Sequence, residues 1–199
     1  TLGVFLLWFG WFGFNGASVF SAEPVMVAYV FTTTALSAAA GLIAAMATSW
    51  IAQRKPDLSM ILNGCLAGLV GITASADCVS IPSACIIGII SGIIVVLSVY
   101  FFDKIHIDDP VGASSVHGVC GILGTLMTGL LAVDGGLMYS GDLSLLGAQC
   151  MGIICIDAWA AASGCLMFYA IKKIAGLRVD KRVEEEGLDI YEHGESAYN

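Results

Sequence analysis

Two ionisable side chains, His117 and Asp157, stand deep inside apolar stretches of the chain. Such groups are costly in hydrocarbon, so they mark ion pathways or proton relays by default. His117 lies in DDPVGASSVHGVCG, residues 108–121. Pro110 suits the first turn of a helix, and Asp108 and Asp109 before it read as caps for the freed N–H groups. His117 then falls about seven residues into that helix, about 10 Å towards its middle at roughly 1.5 Å per residue. A neutral imidazole at that depth donates and accepts hydrogen bonds, or passes a proton. A histidine packed against a backbone carbonyl explains the same pattern, so this residue alone leaves both readings open. Asp157 is a lone carboxylate, either protonated or bonded to a neighbouring helix or subunit, and nothing near it argues for a pore.

A second constellation lies in WFGWFGFNGAS, residues 8–18. Trp11, Phe14 and Ser18 are spaced i, i+3, i+7 and share one helix face. An aromatic face beside a hydroxyl suits a small cation, through cation–π contact and hydrogen bonding. Plain packing, or an aromatic belt at a membrane interface, gives the same spacing.

The elements that position these residues are apolar helices. Of 199 residues, 58% are hydrophobic and 12% charged, against about 45–50% and a quarter in soluble domains. Mean hydropathy is +0.88. A soluble enzyme and a disordered chain are both disfavoured. No nucleophile–base pair, cofactor loop or metal-ligand spacing stands out, so no enzyme activity, no cofactor and no metal is expected. The net charge of −8 opposes a nucleic-acid partner, which needs Lys and Arg to meet phosphates. A bilayer span takes about 20 mostly apolar residues. Six windows qualify: 2–20, 26–52, 59–76, 81–102, 111–133 and 143–175. The predicted fold is an all-α polytopic membrane protein with six transmembrane helices over residues 1–175 and a mixed-charge tail over 176–199.

Orientation follows from the bases, because cytoplasmic loops collect Lys and Arg. Arg54 and Lys55 lie between spans two and three, and Lys104 between spans four and five. Lys172, Lys173, Arg178, Lys181 and Arg182 end or follow span six. The opposite connections, around 21–25, 77–80 and 134–142, hold no base. Both ends therefore face the cytoplasm, and Ser18 is outermost on the first span. Half of the net charge falls on the tail from Gly176 onward. His106 and His193 fall in cytoplasmic segments and read as solvated.

Small residues line the spans. Gly64, Gly68 and Gly71 form a smooth stripe, and Gly118, Gly121 and Gly124 repeat the spacing, each permitting close helix approach. The seven cysteines have no paired spacing and read as small hydrophobes rather than disulfide or zinc partners. The chain opens at Thr1 within an apolar run, with no basic region or cleavage site before it, and is expected to be a piece of a longer protein.

Four stretches together carry a family resemblance: LLWFGWFGFNGAS at 6–18, NGCLAGLVGITA at 63–74, DDPVGASSVHGVCGILGTL at 108–126, and a tail with GLD at 187–189 and HGE at 193–195, followed by Ala197 and Tyr198. The chain resembles the carboxyl-terminal half of the ammonium transporter (Amt) family, spans six to eleven and the tail. The resemblance implies a homotrimer with a separate pore in each eleven-span subunit, built from two inverted five-helix repeats. It implies that Phe14 is one of two stacked phenyl rings closing the outer pore, with Trp11 in the same aromatic motif. Ser18 becomes the hydroxyl that helps recruit ammonium in the outer vestibule, and His117 one of twin pore histidines. Asp109, with Asp108 beside it, orders the cytoplasmic end. Thr73 matches a motif threonine without an assigned role, and Asp157 has no counterpart. Gly187, Leu188, Asp189, His193, Gly194, Glu195 and Tyr198 fall in the regulatory tail that meets a PII-type signalling protein. The resemblance also implies an integral protein of the plasma (inner) membrane.

The family's first repeat supplies the other phenyl ring, a vestibule tryptophan and aspartate, and the partner histidine. This sequence holds half a pore, and six helices alone would turn a polar half-pore towards lipid. Poor folding of residues 1–199 by themselves is the expectation. The physical case for ammonium is deprotonation: potassium has a similar size but no proton to shed. Three alternatives stand beside transport: an ammonium sensor, a Rhesus-type ammonia gas channel, and a structural membrane subunit without a pore. The WFGFN run and the tail motif favour the first reading.

Overall fold

The structure, a computed structural model, describes residues 1–196; Tyr198 and its neighbours lie outside the described residues. The described chain is helical, with one isolated bridge between Val79 and Ala132. It divides into two units, Thr1–Ile153 and Ile154–Asn199.

The first unit contains α1 (Leu2–Ser18), α2 (Pro24–Gln53), α3 (Leu58–Thr73), α4 (Ile81–Lys104), a π-helical segment (Ser114–Val119) that runs directly into α5 (Cys120–Leu131), and the short α6 (Leu137–Ser140). Side-chain caps explain the starts of α2, α3 and α4. Glu23 accepts the N–H groups of Val25 and Met26 while Pro24 occupies the first turn. Asp57 accepts the Met60 N–H at 2.9 Å, and Ser80 that of Ser83 at 3.3 Å. α2 stops where Arg54 turns left-handed, at φ 65°.

Helices α2, α3 and α4 form the packed centre, and small residues let them meet. A methyl group at Gly68 or at Gly88 would run into the carbonyl oxygen of Ser37. The Ser37 hydroxyl donates to the Gly68 carbonyl at 2.8 Å, and Thr33 to that of Ala76 at 2.7 Å. The first bond joins α2 to α3 and the second ties α2 to the turn after α3; such hydroxyl-to-carbonyl bonds suit a bilayer, where no water competes. Apolar clusters around Val30, Ile72 and Ile87, and around Ala45, Val95 and Val116, fill the remaining space.

The helix carrying His117 departs from its predicted form in three ways. It starts at Ser114, not near residue 111, so His117 stands three residues past the start rather than about seven. Pro110 sits in a preceding turn, where the Gly112 N–H donates to the Asp109 carbonyl at 3.0 Å and Gly112 takes φ +73°. The Asp109 carboxylate reaches past that turn to Ser114 and Ser115 and so defers the helix start. Asp109 alone makes these capping bonds; Asp108 is exposed beside it. The glycine stripe is also broken. Gly124 packs against the Gly71 backbone, Gly121 comes only within 3.9 Å of Val70, and Gly118 has nothing near it. A π turn spans more residues than an α turn, so i, i+3 spacing through it no longer keeps one face.

Among the described residues, four helical stretches are long and apolar enough to cross a membrane: Pro24–Gln53, Ile81–Lys104, Ser114–Leu131 and Ser144–Ile174. α1 and α3 are apolar but shorter, with 17 and 16 residues. At about 1.5 Å per residue they reach about 25 Å against a hydrocarbon core of about 30 Å.

α7 (Ser144–Ile174) runs across the boundary between the units. The second unit continues with α8 (Lys181–Glu186) and α9 (Leu188–Glu192), joined at Gly187, φ +102°. Arg182 pairs with Glu186 at 2.7 Å, and Arg178 with Glu184 at 2.5 Å.

Candidate functional site

Trp11, Phe14 and Ser18 stand on α1, Thr73 ends α3, and His117 lies in the π-helical segment. The fold brings four of them together. The Trp11 indole stacks on the His117 imidazole, with ring centroids 6.4 Å apart and planes 18° from parallel. Phe14 meets the same indole at 5.6 Å and 43°. Both separations fall within the usual range for interacting rings, about 4.5–7 Å. The indole N–H donates to the Thr73 hydroxyl at 2.9 Å, and that hydroxyl donates to the Leu69 carbonyl at 2.7 Å. Trp8 and Trp11 pack on Ala38, Cys65 and Leu69, which ties α1 to the centre. Asn15 secures the same helix, its amide donating to the Thr34 hydroxyl at 3.0 Å.

His117 is exposed on an open hollow of about 600 Å³, also lined by Phe102, Ser114 and Ile122. It makes no side-chain hydrogen bond among the described residues. Phe14 is 61% exposed. Ser18 donates its hydroxyl proton to the Phe14 carbonyl at 2.6 Å, which leaves only lone pairs for an incoming group. A hydroxyl in that state accepts from an N–H donor and cannot donate to an anion.

Asp109 positions the His117 segment. Its carboxylate accepts the Ser114 N–H at 3.0 Å, the Ser115 N–H at 3.1 Å and the Ser115 hydroxyl at 3.0 Å. Partial burial alone would raise its carboxyl, but the bonds from Ser114 and Ser115 outweigh that and hold it below the usual value. Gly112 completes the turn against Asn63, where a side chain would collide with the Asn63 amide.

The remaining expected residues fall on other segments of the chain. Asp157 is on α7 in the second unit. Gly187 and Leu188 stand where α8 meets α9, and the Asp189 carbonyl accepts the His193 and Glu195 N–H groups, with Gly194 left-handed at φ +69°. Among the described residues no three His, Cys, Asp or Glu side chains cluster as metal ligands. Sequence reasoning left Thr73 without a role and missed Ser115 altogether. No local pattern signals the first, because its partner is 62 positions away. The second follows an acid-rich turn and was open to reading as a capping partner.

The family model described as "Ammonium Transporter Family" matches residues 1–198. Ammonium transporter Amt2 of Archaeoglobus fulgidus is 40% identical over 211 residues, covering all of this chain and 45% of that relative. Ammonium transporter 1 of Dictyostelium discoideum is 36% identical, covering all of this chain and 44% of its own length. Among solved structures, one named "Sensor Amt Protein" matches with a TM-score of 0.89 and 38% identity, over 96% of this chain and 48% of that one. Mep2 of Candida albicans matches with a TM-score of 0.84 and 32% identity, over 91% and 42%. The chain spans about half the length of the curated relatives it matches. Its all-α polytopic membrane fold, its apolar helices and these relatives make it an integral membrane protein, and the chain belongs to the ammonium transporter family.

Proposed function

We propose that this chain forms one half of the pore of an ammonium transporter. The observation that carries the reading is the stack of Trp11 on an unbonded His117, with Phe14 against the same indole. In this reading all six apolar helices of residues 1–175 cross the bilayer and both ends face the cytoplasm. Bases at alternate connections support that orientation. Ammonium arrives at the outer end of α1. Ser18 offers lone pairs to its N–H groups, and the aromatic faces attract its charge. Phe14 closes the way to larger or hydrated ions. Beyond it, ammonium gives up a proton and moves as neutral ammonia through an apolar passage. A neutral His117 accepts or relays the proton and hydrogen-bonds the ammonia. Potassium has the charge and a similar size but nothing to release, so it stalls at the apolar stretch.

The facing half of the pore comes from the first repeat that longer relatives contain. Assembly as a homotrimer in the plasma (inner) membrane, and docking of a PII-type protein at the tail from Gly176, belong to the same proposal. The short helices α8 and α9, with their ion pairs, offer a mixed-charge surface for that contact.

The test is uptake of labelled methylammonium by cells that lack their own ammonium transporters and express the full-length protein. Saturable uptake that ammonium competes away supports the reading. Expression in the membrane without any uptake would exclude it and favour a sensor or a structural subunit.

A further inference from the structure

Thr73 has no part in the reading above, yet its hydroxyl is the fixed point of the aromatic cluster. We infer that Thr73 is a positioning residue, whose hydroxyl sets the plane of the Trp11 indole and through it the seat of His117. The inference rests on the proposed transport reading.

A threonine hydroxyl has one proton. Here it is committed to the Leu69 carbonyl, four residues back on α3, at 2.7 Å. Only lone pairs remain, and an indole N–H can do nothing but donate. The bond from Trp11 to Thr73, at 2.9 Å, therefore has one possible polarity, and the chain Trp11 to Thr73 to Leu69 cannot reverse. β-branching limits the rotamers of Thr73 within the helix, which stiffens the acceptor further. Its foundation is rigid as well. Two residues earlier, the backbone of Gly71 packs against Gly124 of α5, and a side chain there would meet Ser91 of α4.

The lever lies in the shape of the indole. Its N–H is at the edge of the ring system, remote from the Cβ pivot. Packing against Ala38, Cys65 and Leu69 holds the ring system, and the hydrogen bond fixes its N–H edge. A half-turn about the second side-chain torsion would carry the N–H away from Thr73 and leave it unpaired. Trp11 touches both Phe14 and His117, so a rotated indole disturbs both rings at once. His117 makes no side-chain hydrogen bond among the described residues, and the indole face is its aromatic neighbour. Thr73 thus acts on the imidazole at one remove, without touching it.

The test compares T73V, which keeps the shape and removes the acceptor, with T73S, which keeps the hydroxyl. Both are made in the full-length protein, with labelled methylammonium as the probe. T73V is expected to lower the maximal uptake rate about tenfold, as loss of the partner of a half-buried indole N–H implies. T73S, which keeps the acceptor, should match the parent in both the maximal rate and the half-saturating concentration. In a W11F background T73V should add nothing, since its target N–H is gone. Uptake by T73V equal to the parent, or an undiminished loss in the W11F background, overturns the inference. A second measurement does not depend on transport. The hydrogen-bond-sensitive indole band of Trp11, taken by resonance Raman difference against W11F, should persist in T73S and vanish in T73V. Should the parent fail to transport, the proposed function falls and this band decides Thr73 by itself. An unchanged band in T73V overturns its positioning role.

Discussion

Replacing Asp109 with alanine removes three hydrogen bonds at one stroke. The carboxylate accepts from the N–H groups of Ser114 and Ser115 and from the Ser115 hydroxyl, all between 3.0 and 3.1 Å. Ser115 is buried, so its N–H and hydroxyl have no ready access to water once the carboxylate is gone. A hydrogen bond to a charged group contributes about 1.5–3 kcal/mol, and loss of a helix cap costs about 0.5–2 kcal/mol. The three bonds share one carboxylate and one turn and do not add in full, so we expect about 2–3 kcal/mol for D109A. Hydrogen exchange at the Ser114 and Ser115 amides of the full-length protein reads this directly. At about 1.4 kcal/mol per factor of ten, exchange there should accelerate about 30- to 150-fold, with little change in α2. D109N keeps one acceptor and should fall between the two. The pH dependence has a definite sign. The Asp109 carboxyl is held below its ordinary value, so its contribution is fully present above the unfolded value of about 3.9. It is lost as pH falls through the lower folded value, and protection should be flat between pH 5 and 8. Exchange in D109A within about twofold of the parent would refute the reasoning, because the π-helical segment would then be held by packing alone.

Two further substitutions probe the frame around the site. G68A places a methyl group against the Ser37 carbonyl between α2 and α3 and should destabilise the protein by about 1–3 kcal/mol, measured as a lower thermal midpoint in detergent. G112A forces a side chain into a left-handed position beside Asn63. It should cost about 1–3 kcal/mol and loosen the same amides as D109A, so the double variant should be less than additive by hydrogen exchange.

Helices α2, α3 and α4 start at Pro24, Leu58 and Ile81, behind Glu23, Asp57 and Ser80, residue types whose capping chemistry is local. The same logic misled at Pro110. Asp108-Asp109-Pro110 resembles a proline at the first helical position, but Asp109 caps across a turn instead, and only the left-handed Gly112 permits that turn. A π turn leaves no periodic mark in a run as apolar as 116–126, so the broken glycine stripe was invisible. The shared face of Trp11, Phe14 and Ser18 follows from helical spacing. The meeting of Trp11 with His117, and with Thr73, does not. Those contacts join residues far apart in the chain, and only the packing of α1 on α3 and on the His117 segment creates them.

In the proposed pore His117, seated on Trp11, handles the proton that separates ammonium from potassium. The direct test is uptake of labelled methylammonium by the full-length protein with H117A, with and without excess potassium. Uptake should fall about tenfold or more, and potassium, expected to be inert towards the parent, should now compete. Uptake and potassium exclusion both equal to the parent would remove His117 from the mechanism.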